Sequence, residues 1–467
     1  MKQLLAGTGR CDITPAPGTP QGGWGAQTHQ RGLGADMPFY ATALVLSDGQ
    51  ETAAIVDVDA IGFDREWTDK ILDAIQEMTG LERSQIRFSC THTHSGANTF
   101  RLQNISEGLA MAVSYLESMP GQIASAVWQA QQNLVPVRCA AGSGSCDINV
   151  NRRFRAPDGK VIVGRNWEGA VDPTVRVIRF DDLSENPVAT IVHYACHGTT
   201  MAWQTQMFTP DFPGPVRRTV EEQLGGVCLF LQGAAANLGP RRGFTGDCRV
   251  YRKLGKILGL EASRIAEEIE TLPRHERYVG IMQSGAPIAL YEEEAVEPAT
   301  PVLHAIRRVI QLPAKKYSGV AELQAEADAL LAEVSRLRRD GTLDEMRLAN
   351  AKATQAGWRA SNARLYHDKD FIDWELHCIR IGPIALLSVA GEPFMEIAQR
   401  IVAESPFEHT LVCGYTNGGL GYIPTRDAYS EGGYEIEATF FSPDAADALV
   451  AEGIRLLRDA AADTAAS

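Results

Sequence analysis

The segment Thr91-His92-Thr93-His94-Ser95-Gly96 carries two imidazoles two positions apart, at the end of the apolar run Ile86–Cys90. Side chains at i and i+2 of an extended chain share a face. His92 and His94 therefore address one small volume, either as two metal ligands or as a ligand and its hydrogen-bonding helper. A pair that only satisfies hydrogen bonds in a core is the competing reading. A second histidine, His197, ends the run Val188–Cys196, whose β-branched content favours a strand. His193 and His197 share a face in either conformation. As a helix, His-x-x-x-His would make a zinc pair by itself, but Gly198-Thr199-Thr200 would end that helix at once. His197 is thus read as a ligand at a strand end, and His193 as a core residue or a helper.

Glu392 follows the apolar stretch Ile384–Gly391 and is fixed by Pro393, so a carboxylate is presented as a strand leaves the core. Tyr422 comes after Leu411-Val412-Cys413 through the glycine-rich Gly418–Gly421, where the backbone can approach a ligand closely. Ligands of open α/β sheets gather where strands end. Four polar residues here each follow an apolar run, and their agreement weighs more than any one of them.

The elements that must position these residues alternate along the chain. Ala41–Leu46, Thr52–Val58 and Gln85–Cys90 read as strands; Asp64–Met78, Gly121–Leu134 and Arg249–Glu268 read as amphipathic helices. This alternation predicts an α/β fold, a mixed sheet core flanked by helices. Residues 318–370 are richer in Ala, Leu, Glu and Arg, the pattern of a helical hairpin turning at Asp340-Gly341-Thr342. The hairpin reads as an insertion into one catalytic domain spanning 1–467, serving as a lid, as a contact for a homo-oligomer, or as an ordinary packed pair.

At 467 residues the chain buries a sizeable core without staples. A formal charge of -14 and a pI near 5.3 argue against nucleic acid or an anionic membrane as partner, since both reward clustered Lys and Arg. The sequence has no run of about 18 apolar residues, so stable membrane insertion is not expected. The start Met1–Gly7 lacks the core of a signal peptide, and nine cysteines without a CxxC pair fit reduced thiols. The expected location is cytoplasmic.

These residues are similar to a known family. Gly9-Arg10-Cys11-Asp12-Ile13-Thr14-Pro15, Thr91–Gly96, Asn151-Arg152, Ala195-Cys196-His197, Gly391-Glu392-Pro393 and Gly421-Tyr422 through Thr425-Arg426, Tyr429 and Tyr434 resemble, in order, landmarks of the catalytic region of the neutral/alkaline ceramidases, zinc amidases that cleave the N-acyl bond of ceramide. Tyr422 and Tyr434 stand twelve positions apart, as in that family. The resemblance implies that His92, His197, Glu392 and Tyr422 ligate one Zn2+, while His94, Arg152 and Tyr434 act on the scissile amide. Two imidazoles and a carboxylate are a hydrolytic zinc set with room for water; a tyrosine as fourth ligand is chemically unusual. Arg152 and Tyr434 would stabilise the oxyanion, and His94 would protonate the leaving amine or orient a ligand. Arg152-Arg153-Phe154-Arg155 also reads as a solvated basic loop.

The chain departs from the family where an Asp-x-Ser-Pro-Asn segment is expected: Gly233-Ala234-Ala235-Ala236-Asn237 retains only the Asn. The family's secretion signal and C-terminal immunoglobulin-like domain are not recognisable, the chain ending in the helix-like Ala445–Ala461 and an Ala-rich tail. The expected activity is hydrolysis of a ceramide-like amide by zinc-activated water, on a lipid-like or small-molecule substrate. The alternatives are an ester, a lactone or a small polar N-acyl compound at the same zinc site, or a metal-bearing protein without turnover. Asp57 and Asp59 are candidates for orienting a ligand histidine or capping a loop. Asp211 is a candidate helix N-cap or site residue, and Trp24 a candidate for the substrate mouth.

Overall fold

Tyr40–Ser47 and Thr52–Val58 are apolar runs separated by Asp48-Gly49-Gln50-Glu51, and they pair antiparallel from Ala41–Val58 to Ser47–Thr52. Asp48 Oδ1 accepts from the amides of Gln50 and Glu51, and Gly49 takes a φ of 84°, which closes the turn. Such hairpins and crossovers build, in a computed structural model that describes residues 3–100, 102, 105 and 107–462, a sheet of eight strands. From one edge it runs Val227–Gln232, Pro187–Tyr194, Thr174–Asp182, Val135–Ser145, Leu5–Asp12, Tyr40–Ser47, Thr52–Val58, Ile86–Cys90. A second sheet orders Leu303–Pro313, Phe371–Ile381, Ile384–Val389 and His409–Cys413.

Alternation along the strands decides the layers. Leu44, Leu46, Ile55, Ile191 and Leu229 point to one face of the large sheet and meet Ile379, Leu386 and Leu411 of the small one in a shared core. Val45, Val56 and Phe88 point the other way, onto the helices Arg65–Thr79 and Leu109–Gln132. Val177, Val192 and Phe230 do the same onto Pro213–Leu224 and Cys248–Glu268. The outer face of the small sheet is covered by Met395–Ala403 and Ala445–Ala462. The result is helix, sheet, sheet, helix. The mixed α/β architecture expected from the sequence is therefore present, with two stacked sheets in place of one.

The helix expected from Gly121 begins at Leu109 and contains Pro120. Proline favours a helix start because it cannot donate to the preceding turn. Here burial of Leu116 and Met119 against the sheet offsets that one lost bond. Asp57 and Asp59 do not reach a histidine; Asp59 caps the strand end, accepting from Tyr40 N at 2.9 Å and from the hydroxyl of Thr91, the residue before His92, at 3.3 Å, and Asp57 accepts from Phe230 N at 3.0 Å. They are buried and paired to Arg217, whose Nη1 lies 2.9 Å from Asp57 Oδ2 and whose Nη2 also bonds Asp59, tying the helix Pro213–Leu224 to the sheet. Helices Val320–Asp340 and Leu343–Tyr366 form the hairpin read from the sequence, with Thr342 and Glu345 making a capping box at its turn. Strands Arg274–Gln283 and Pro287–Ala295 form a separate two-stranded arm, exposed along both strands. No helix among the described residues is long and apolar enough to cross a membrane. The Ala-rich tail lies outside the described residues.

Two buried histidines tie the small sheet to the large one and to the turn that leads into its strand Ile86–Cys90. His193 Nε2 donates to Val412 O at 3.0 Å, and His377 Nε2 to Ser84 O at 2.7 Å. Burial lowers their pKa values to about 3 and about 4. The folded state holds both rings neutral, while the unfolded chain takes up protons near pH 6.5. Their contribution is thus complete above that pH and is lost as pH falls toward 4, about 3 kcal/mol for each ring. The urea midpoint is expected to drop steeply between pH 6.5 and 4, and His377→Gln to flatten that slope; an unchanged slope would contradict the neutral buried ring.

Candidate metal centre

Site loops leave the carboxyl ends of strands that lie in parallel pairs. Ile86–Cys90 runs parallel to Thr52–Val58, Pro187–Tyr194 to Val227–Gln232, and Ile384–Val389 to His409–Cys413. After the first, the chain turns at His92, whose amide donates to Ala60 O at 2.9 Å and whose φ is 62°. A left-handed histidine is uncommon, and strain of this kind clusters at functional sites. The loop bearing His197 lies directly against it: His94 N donates to Gly198 O at 3.0 Å, and a Cβ on Gly198 would stand 2.4 Å from His92 O. Only glycine permits that approach. Glu392 N donates to Gly421 O at 2.8 Å, which sets Glu392 beside Tyr422 in a short parallel bridge.

His92, His197 and Glu392 converge, and His94 converges with them. His92 Nδ1 bonds Ile61 O at 2.6 Å, His94 Nδ1 bonds Gly23 O at 3.1 Å, and His197 Nδ1 faces Ala235 O at 3.3 Å. A carbonyl only accepts, so each Nδ1 carries the proton and each neutral ring leaves Nε2 bare. Burial holds the rings neutral. It lowers His94 to about 4 and takes His92 and His197 well below their ordinary value, with the nearby Arg152 charge adding to the effect. The bare nitrogens nevertheless face one another: His92 Nε2 is 3.0 Å from His197 Nε2 and 3.2 Å from His94 Nε2. Glu392 Oε2 lies 3.5 Å and 3.9 Å from the Nε2 atoms of His92 and His197, is buried, and accepts no hydrogen bond. Burial raises the Glu392 carboxyl to about 8. Lone pairs this close repel unless a cation lies between them, so this donor set fits a metal ion.

Tyr422 stands beside this cluster, next to Glu392 and Arg152, and burial keeps its phenol protonated well above pH 10. Its ring centroid is 5.4 Å from that of Tyr434. Arg152 is not part of a solvated loop. It is buried on the strand Asn149–Arg155, and its Nε lies 2.8 Å from Glu435 Oε1 while its Nη2 has no partner. Arg153 binds the other Glu435 oxygen at 2.8 Å. The guanidinium of Arg152 sits 5.4 Å from the ring of Tyr422 and 6.0 Å from that of Tyr434.

Trp24 lies 5.4 Å from the His94 ring and packs on Trp203 and Phe244. The helical hairpin reaches the same rim: Asn350 Nδ2 donates to Gly25 O at 2.6 Å, and Trp358 lies 5.5 Å from Tyr434. Asn237, at the end of the alanine run, donates to Glu396 and accepts from Met395 N at 3.0 Å, fixing the turn after Glu392. Asp211 is not the N-cap of Pro213–Leu224, where Phe212 stands. Its carboxylate accepts from the amides of Thr200, Met201 and Phe212 and staples the loop that follows His197.

Two residues at the site have no counterpart in the motif reading, Glu435 and Tyr415. Glu435 follows Tyr434 directly, and its buried position between two arginines is what singles it out. Tyr415 follows the run Leu411–Cys413 by two positions, the same strand-end signal that marks His92 and Glu392.

Residues 4–234 match the family model described as neutral/alkaline non-lysosomal ceramidase, N-terminal. The neutral ceramidase of Pseudomonas aeruginosa is 24% identical over 394 residues, covering 78% of this chain and 57% of that protein. Neutral ceramidase A of Dictyostelium discoideum is 27% identical over 225 residues, covering 44% of this chain and 30% of that protein. This chain thus corresponds to little more than half the length of the first relative and less of the second. The crystal structure of neutral ceramidase from Pseudomonas aeruginosa shares the fold, with a TM-score of 0.67 at 19% identity over 98% of this chain and 75% of that one. With the family model lying over the strands that carry His92, Arg152 and His197, and the shared fold extending through those that carry Glu392 and Tyr422, the chain belongs to the neutral/alkaline ceramidase family.

Proposed function

We propose that this chain is a zinc-dependent hydrolase cleaving a ceramide-like N-acyl amide. Residues 1–467 act in this reading as one catalytic unit, with 318–370 as a helical insertion at the rim of the site. One observation supports it above others: three bare imidazole nitrogens and an unpartnered buried carboxylate oxygen face one another beside an arginine with a free Nη2. His92, His197, Glu392 and Tyr422 would hold the zinc, which when bound acts as a Lewis acid and lowers the pKa of water to about 7. The protein's own groups supply the rest. Arg152 and Tyr434 donate to the amide oxygen as it gains negative charge, and Glu435 keeps the guanidinium aimed. His94, the most exposed of the three rings, has its Nε2 held bare by the Gly23 carbonyl. That nitrogen accepts a proton from the attacking water and passes it to the leaving nitrogen. All nine cysteines are free, which supports a reducing, cytoplasmic setting.

Elemental analysis of protein purified without a histidine tag is expected to find about one zinc per chain; protein that neither carries zinc nor takes it up would sink the hydrolase reading. His92→Ala is expected to lose both metal and turnover on N-acyl substrates from ceramide to small amides. His94→Ala leaves three protein ligands and Tyr422, so it should keep the metal and lose about 10²–10⁴ in kcat. Loss of zinc from His94→Ala would move that ring into the ligand set. Arg152→Ala should leave zinc stoichiometry intact and raise the barrier by about 2.7–4 kcal/mol, read as a fall in kcat at constant metal content.

A further inference from the structure

Tyr415 is buried two residues beyond the strand His409–Cys413, with a φ of 57°. An aromatic residue in the left-handed region is an outlier, kept only where its surroundings over-determine it. Those surroundings are the two loops of the metal centre. Tyr415 N donates to Gly391 O at 2.8 Å, next to Glu392, and Tyr415 O accepts from Cys90 N at 3.2 Å, two residues before His92. Its ring lies 4.2 Å from the His92 ring, tilted by 34°. Its hydroxyl is 3.4 Å from His197 Nδ1 and lies beside the carboxylate of Glu392.

Ala195, Ala235, Leu238 and Met395 pack around the phenol. The alanine run 234–236 offers methyl groups only, and it reaches His197 through the Ala235 carbonyl. Ala235 of that run lies in the same buried cluster as the Tyr415 ring.

Building on the zinc-site reading, we infer that Tyr415 is a positioning residue: its hydroxyl accepts from His197 Nδ1–H and donates to Glu392, linking two ligands that come from different sheets. The Ala235 carbonyl at 3.3 Å is a long partner for His197 Nδ1, and Tyr415 Oη shares that proton. The link fixes the rotation of the His197 ring and one oxygen of Glu392, leaving Nε2 and Oε2 aimed at the same point. Outer groups of this kind typically set metal affinity by 10–100-fold.

Tyr415→Phe tests this, because it keeps the ring against His92 and removes one oxygen. Zinc dissociation constants are measured by chelator competition, and visible spectra are recorded with Co2+ in place of zinc, for wild type, Tyr415→Phe and the remote control Tyr115→Phe, whose hydroxyl bonds only Ile13 O. Zinc affinity about 10–100-fold weaker in Tyr415→Phe alone, with a shifted Co2+ spectrum, is the expected result. Affinity within twofold of wild type and an unchanged spectrum would overturn the inference and leave the zinc reading standing. Wild-type protein that binds neither metal would overturn both.

Discussion

Each histidine of the site directs its Nδ1 proton to a main-chain carbonyl, at Ile61, Gly23 and Ala235. That choice fixes the tautomer of every ring and leaves three Nε2 lone pairs aimed at one small space. Free side chains would rotate away from such an arrangement. Here they are held because the carbonyls belong to buried or half-buried loops that leave strands of the sheets, and because burial makes protonation of the rings unfavourable. The unresolved repulsion is a feature of the folded state, and the fold maintains it.

Stacking the two sheets brings strand ends from both to one edge. His92 and His197 come from the large sheet, Glu392 and Tyr415 from the small one. The sheets must hold their relative position for these atoms to meet, and polar ties inside the sandwich serve that end. Arg87 on the large sheet reaches Ser388 Oγ on the small one at 2.8 Å, and Asn417 accepts from Phe88 N at 2.8 Å. Backbone strain at His92, Tyr415 and Asn417 is concentrated where the two sheets meet at the site, and is absent from the strands that carry it.

Much of this was legible in the chain itself. The strand-end rule placed His92, His197, Glu392 and Tyr422 after apolar runs, and the composition of 318–370 marked the helical hairpin. What stayed hidden is partnership across long separations. Nothing local in Val56-Asp57-Val58-Asp59 reveals Arg217, and nothing in Asn151-Arg152 reveals Glu435; these pairs exist because the sheets bring remote segments together. Pro120 misled for the opposite reason, since local preference there yields to burial of its neighbours. Two stacked sheets in place of one could not be read from periodicity, which reports a buried face without saying what covers it.

The order of residues along the chain carries its own consequence for biosynthesis. His92 and His94 follow a strand that pairs near the amino end, while Glu392, Tyr415 and Tyr422 arrive only as the strands of the small sheet are completed. Domains fold as they emerge, and contacts that close long loops form late. A nascent chain therefore displays its first two imidazoles well before the carboxylate that completes the cluster. The finished donor set exists only in protein whose last strands have docked, so its assembly reports complete folding.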